Sequence, residues 1–215
     1  MNITPDTIRR ELTHGQMLAK HLAARRPHLP PNPVLVETGC GRSTLYLAES
    51  GRALNATVYS CDMNTKKVEA LKQRAGDRLK NVIFMVGDSH DSLKQITGRH
   101  PRLDFVFLDA AASAMHTFQE FQIIEPFLKP GASLLIDNAA LPNTRVMLSP
   151  CRKGKIIVPY LLASAWWEVT GHPTAGDSMV SAVRHERPDF ADPAFEWPEF
   201  VDTWEADFAR GFDQL

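Results

Sequence analysis

The chain has 215 residues, 44% hydrophobic and 23% charged, the make-up of a globular protein that can bury one substantial core. Its formal net charge of -1 supplies no broad basic surface, so neither nucleic acid nor an anionic membrane is expected as a partner. Cys40, Cys61 and Cys151 offer no disulfide framework or zinc-ligand spacing, the first residues hold no signal-type apolar core, and no apolar run approaches ~18 residues, so a cytoplasmic protein with reduced thiols is expected.

Thr4, Pro5 and Asp6 read as a helix start: a capping hydroxyl, a residue with no N–H to satisfy, and an acid at the positive dipole end. Ile8, Leu12, Leu18 and Leu22 continue one leading helix, which PHLPPNP ends, giving a first unit over 1–32. From 33 to 187 short strand-type runs alternate with helical segments. The runs are VLVE (34–37), TVYSCD (57–62), VIFMVGD (82–88), LDFVFLD (103–109) and SLLIDN (133–138), with helices near 43–50, 64–75, 89–97 and 113–128. Such alternation predicts an α/β fold, a doubly wound, mostly parallel sheet with right-handed crossovers. WWEVTG (166–171) and SMVSAVRH (178–185), joined by a loop with Pro173 and Gly176, predict an antiparallel hairpin that closes the sheet. Residues 188–215, aromatic and acidic with a helical stretch near 199–212, form an extension that packs on the domain or on a second subunit, so a homodimer is open.

Each strand ends at an acid or amide: Glu37, Asp62, Asp88, Asp109, then Asp137 with Asn138. In a parallel sheet these endings share one rim, where ligands bind. The bland alternative is that each Asp caps the following helix, which serves Asp137-Asn138 least well. In VETGCGRST, Gly39 and Gly41 allow a sharp turn and close approach to a ligand, and Ser43 or Thr44 can cap the next helix. Thr44 stands where a dinucleotide fingerprint needs its third glycine, but Asp62, about 20 residues on, is placed for ribose hydroxyls. A nucleoside is the expected ligand. The acids favour cationic, phosphate-free S-adenosylmethionine over a dinucleotide.

VLVETGCGRST, YSCD, FMVGDSHDSL, LDFVFLDAAAS and FLKPGASLLIDNAAL, in this order and spacing, resemble the successive motifs of class I S-adenosylmethionine-dependent methyltransferases, closest to the catechol and caffeoyl-CoA O-methyltransferase-like branch. The resemblance covers about 33–141 and the hairpin. It implies methyl transfer from S-adenosylmethionine to a small-molecule acceptor, a hydroxyl. It implies that Glu37, Gly39 and Gly41 hold the methionine part, Asp62 the ribose, and Asp88 with Ser89 the adenine edge, with Ser43, Met63 and Asp109 also at the cofactor. It also implies that Asp109, Asp137 and Asn138 bind a divalent cation, and three hard oxygen donors suit Mg²⁺, Mn²⁺ or Ca²⁺ rather than zinc.

The sequence departs from the branch at Ala112, where a lysine usually helps deprotonate the acceptor, and at Met115, where an aromatic usually stands. His116 and His90 are the weak candidates for a catalytic base, each more ordinarily a solvated or core imidazole. Trp166 and Trp167 read as core or interface, Cys40 and Cys61 as buried thiols, and the basic runs RRPH (25–28) and CRKGK (151–155) as solvated faces, the second lying where an acceptor-binding loop would follow the fifth strand. Two other readings remain: a nucleoside-binding module that has lost catalysis, from Ala112, and a nicotinamide oxidoreductase, from Gly39, Gly41 and Asp62.

Overall fold

The computed structural model describes residues 12–139, 152–174 and 177–186. Five apolar runs become parallel strands because their side chains are apolar on both faces: β1 (Val34–Thr38), β2 (Thr57–Asp62), β3 (Val82–Val86), β4 (Leu103–Leu108) and β5 (Leu128–Asp137). Val36, Val106, Leu108, Leu134 and Ile136 enter one core, and Leu35, Phe105, Phe107 and Leu135 the other. The two clusters are the two faces of the sheet.

Helices α1 (His14–Arg25) and α2 (Arg42–Leu54) cover one face through Met17, Leu18, Leu22 and Leu47. Helices α4 (Ser89–Arg99), α5 (Ala114–Ile124) and α6 (Gly154–Ala163) cover the other, while α3 (Thr65–Ala75) packs by β3. The hairpin of β6 (Trp167–Thr174) and β7 (Asp177–Arg184) adds antiparallel to β5, giving the order β3-β2-β1-β4-β5-β7-β6. The chain winds outward from β1 and then returns to lay β4 on its other side. That reversal opens a crevice at the carboxyl ends of β1 and β4.

The doubly wound sheet and its hairpin are as expected, with three local corrections. Leu12 and Thr13 are not helical: α1 starts at His14, capped by a box in which Thr13 and Gln16 satisfy each other's backbone N–H groups. The expected start at Thr4 lies outside the described residues, as do the helix near 199–212 and Cys151. Second, α6 was not expected, because its nearly unbroken apolar run and Pro159 hide the helical period. Third, β6 runs through Pro173, which a sheet-edge strand tolerates. No helix among the described residues is long and apolar enough to cross a membrane.

Candidate cofactor and acceptor site

The turn after β1 is fixed by backbone contacts before any ligand is considered. Gly39 N–H donates to the Cys61 carbonyl (2.7 Å), and Asp109 N–H to the Thr38 carbonyl (2.9 Å). Gly39 has φ +89°, and a Cβ there would fall on the Asp109 carbonyl, so the β1 turn and the β4 end meet only through glycine. Gly41 serves differently. Its φ of 171° is ordinary extended backbone and a Cβ would meet nothing, so its lack of a side chain keeps the cleft open. Behind the turn Glu37 is fully buried, accepting from Ser43 Oγ (2.9 Å) and Ser60 Oγ (2.7 Å). Burial lifts its carboxyl to about 7, opposed by the bonds from Thr44, Ser60 and Ser43. Glu37 thus braces β1, β2 and α2 from within and lines neither of the two clefts described next. Thr44 Oγ1 accepts from Gly41 N–H (2.8 Å) at the start of α2.

The first cleft, about 520 Å³ including its open side, is lined by Gly39, Asp62, Met63, Asp88, Ser89 and His116. Asp62 accepts from Cys40 N–H (3.0 Å), Asn64 N–H (2.8 Å) and Lys67 Nζ (2.7 Å). Burial pushes its carboxyl up, but Lys67 and the two N–H groups outweigh this and hold it below the usual range. Met63 is 79% exposed, an apolar chain at the cleft edge that a flat ring could cover. Asp88 is the one strand-end acid that follows the bland reading: it caps α4, accepting from His90 N–H (2.8 Å). Ser89 Oγ lies 2.9 Å from His116 Nε2, which is 3.3 Å from buried Glu120, and the His90 ring stacks on His116 at 4.2 Å. Burial raises the Glu120 carboxyl against the pull of Ser89 and His116. Both weak base candidates therefore sit together at this cleft, beside Ser89 and Asp88.

A second, wider cleft of about 860 Å³ lies across the glycine turn, lined by Thr13, His14, Gly41, Ser43 and Asp109. At its wall the carboxylates of Asp109 and Asp137 share one cation. Lys153 Nζ is 2.5 Å from Asp109 Oδ1 and 3.5 Å from Asp137 Oδ2, and His14 Nδ1 is 3.0 Å from Asp137 Oδ1. Burial and the neighbouring Asp137 lift the Asp109 carboxyl to about 6 against the pull of Lys153. Burial lifts Asp137 too, but His14 and Lys153 outweigh it and its net shift is downward. Asn138 follows in a left-handed conformation, φ 50°.

Lys153 and His14 were not singled out by sequence. CRKGK was expected to be solvated, and Arg152 and Lys155 are exposed, yet the Lys153 side chain is 3% exposed. The space between the two carboxylates that the resemblance assigns to a divalent cation holds an ammonium. No group of three His, Cys, Asp or Glu side chains among the described residues could hold a metal ion. The donor set as it lies does not fit a resident metal. It fits the nucleoside cofactor, through Asp62, exposed Met63 and the unfilled side of Gly41. Of the minor candidates, Trp167 is core, against Phe121, Trp166 is partly exposed, and Cys40 and Cys61 are buried free thiols that burial pushes up to about 12.

Residues 36–139, from β1 to the end of β5, match the family model of a methyltransferase domain. The match spans just under half of the chain. The match bears out the resemblance to class I S-adenosylmethionine-dependent methyltransferases. The chain is similar in structure to an O-methyltransferase from Bacillus cereus solved with S-adenosylhomocysteine (TM-score 0.63, 20% identity, 85% of this chain and 82% of that one). It is also similar to the O-methyltransferase TomG from Streptomyces achromogenes, solved with S-adenosylmethionine (TM-score 0.62, 21% identity, 80% and 79%). At this identity the likeness establishes the fold. No curated protein matches the sequence.

Proposed function

We propose that this methyltransferase transfers the methyl group of S-adenosylmethionine to a hydroxyl of a small molecule. The observation that carries the reading is the pair of clefts meeting at the Gly39–Gly41 turn, one with Asp62 and Met63 for a nucleoside, the other with Asp109 at its wall. The two O-methyltransferases of the same fold, bound to the donor or its product, support it.

Asp62, ionised, accepts from the ribose hydroxyls, Ser89 and Asp88 border the adenine edge, and Met63 covers the ring. The turn at Gly41 lets the methionine part pass between the clefts. Bound there, S-adenosylmethionine supplies a methyl carbon on cationic sulfur; a new C–O bond forms as the C–S bond breaks and its electrons return to sulfur, and the hydroxyl proton is released to solvent. The protein's part is to align the acceptor oxygen in the second cleft, between α1 and Asp109, and to surround the cationic donor with carboxylates. No step is routed through a divalent cation.

Isothermal calorimetry with S-adenosylhomocysteine tests the reading. One site per chain is expected, weakened about 10–100-fold in Asp62→Ala, the worth of hydrogen bonds to a charged group. Absence of binding to the wild type overturns it.

A further inference from the structure

We infer that Lys153 is the resident cation of the acceptor cleft, and that this chain has exchanged a divalent metal for its own ammonium. The inference rests on the methyl-transfer reading above, because it concerns the acid pair at the acceptor end of that site.

Three features deliver the ammonium. Gly154, the first residue of α6, approaches the Ala139 carbonyl so closely that a Cβ would collide with its backbone, which pins the helix start to the end of β5. Ala139 lies two residues beyond Asp137, so this contact carries Lys153 to the acid pair. Next, Ile157, Val158 and Leu161 of α6 are buried in the core, so the helix is held along its length. Finally, the Lys153 side chain is 3% exposed and ends against Asp109 and Asp137.

A lysine is an unfavourable residue here unless the acids are its purpose. It stands at the positive end of the α6 dipole and is withdrawn from water, and both effects oppose a charge. Asp109 and Asp137 offset both. Asp137 in turn raises the Asp109 carboxyl, and the ammonium opposes that shift at one wall of the cleft.

The same geometry excludes a metal. A Mg²⁺ ion needs carboxylate oxygens at about 2.0–2.1 Å, and Ca²⁺ at about 2.3–2.6 Å. Lys153 Nζ already takes Asp109 Oδ1 at 2.5 Å and lies 3.5 Å from Asp137 Oδ2. An ion on these oxygens would sit against the ammonium, and the helix that carries it has no room to retreat. Lys153 is no replacement for the lysine missing at Ala112 either. Buried and ion-paired with Asp109 and Asp137, it is a positioning and charge-balancing residue.

The test is Mn²⁺ binding, read by loss of the free-ion electron paramagnetic resonance signal, with S-adenosylhomocysteine calorimetry on the same samples. The wild type is expected to take up no stoichiometric Mn²⁺ at millimolar concentration. Lys153→Met keeps the unbranched stem, removes the charge, and is expected to gain one site at least 100-fold tighter than any wild-type uptake. Lys153→Met combined with Asp137→Asn should lose it again. A wild-type Mn²⁺ site abolished by Asp137→Asn overturns the inference, as does a folded Lys153→Met that gains none. If Lys153→Met fails to fold, the wild-type titration decides alone. Failure of the wild type to bind S-adenosylhomocysteine would sink the methyl-transfer reading while leaving the Mn²⁺ result standing.

Discussion

The two sides of the Gly39–Gly41 turn are built on different plans. On the β2–β3 side, the groups that line the first cleft come from strand ends and the residues just after them: Asp62 and Met63, Asp88 and Ser89. Each is placed by its own strand, and the cleft stands open. On the β4–β5 side, Asp109 and Asp137 also end strands, but what governs them comes from elsewhere: Lys153 from the start of α6 and His14 from the start of α1. One half is a local structure repeated along a sheet edge. The other is an assembly of three separate parts of the chain, and its charge state belongs to none of them alone.

Substitutions that act through the backbone should separate the halves most sharply. Gly39→Ala is expected to have the largest effect, because it forces a side chain into φ +89° and against the Asp109 carbonyl at once. Strain of about 1–3 kcal/mol and overpacking of a similar size should add to roughly 2–6 kcal/mol lost in urea unfolding. A loss under about 1 kcal/mol would show that the turn can move away from β4. Gly154→Ala comes next. No positive φ is involved, so only the collision with Ala139 remains, and about 1–3 kcal/mol is expected. Its signature is local: S-adenosylhomocysteine affinity should change less than threefold, because the nucleoside cleft lies across the turn. A variant that loses both equally would mean that the two sides are one mechanical unit.

The contrast also explains what could be read from the sequence. Strands and their terminal acids were legible because period, apolar runs and the residue after each run are local signals. Asp88 could be recognised as a possible cap on local pattern alone, and it does cap α4. Lys153 was not legible. CRKGK reads as a solvated charge run, and only the close approach of Gly154 to Ala139, a contact between the start of α6 and the end of β5, turns its middle lysine inward. The α1 start had a signal that was passed over: Thr13 and Gln16 form a capping-box pair. Glu37 is legible as the acid that closes the first apolar run, but its total burial depends on Ser60 from the neighbouring strand, which no local pattern announces.

The smallest predicted effect concerns that residue, which lies between the two halves. The Glu37 carboxyl is lifted by burial from 4.5 to about 7. Between these values the unfolded chain has released its proton while the folded chain keeps it, so folding takes up a proton and stability falls as pH rises. One proton limits the slope to about 1.4 kcal/mol per pH unit. Other groups titrate in the same range with the opposite sign: His21, pushed down to about 4 by burial, adds stability as pH rises from about 4 to 6.5. The wild-type profile alone is therefore not diagnostic; its difference from Glu37→Gln is. The amide keeps the contacts with Ser43 and Ser60 but cannot titrate, so the variant should gain stability relative to wild type steadily from pH 5 to pH 7 and level off above it. A constant difference across that range would mean that Glu37 is already ionised in the folded protein. The turn would then hold a fixed negative charge behind the cofactor cleft, and the electrostatic contrast between the two halves would be smaller than the burial of Glu37 implies.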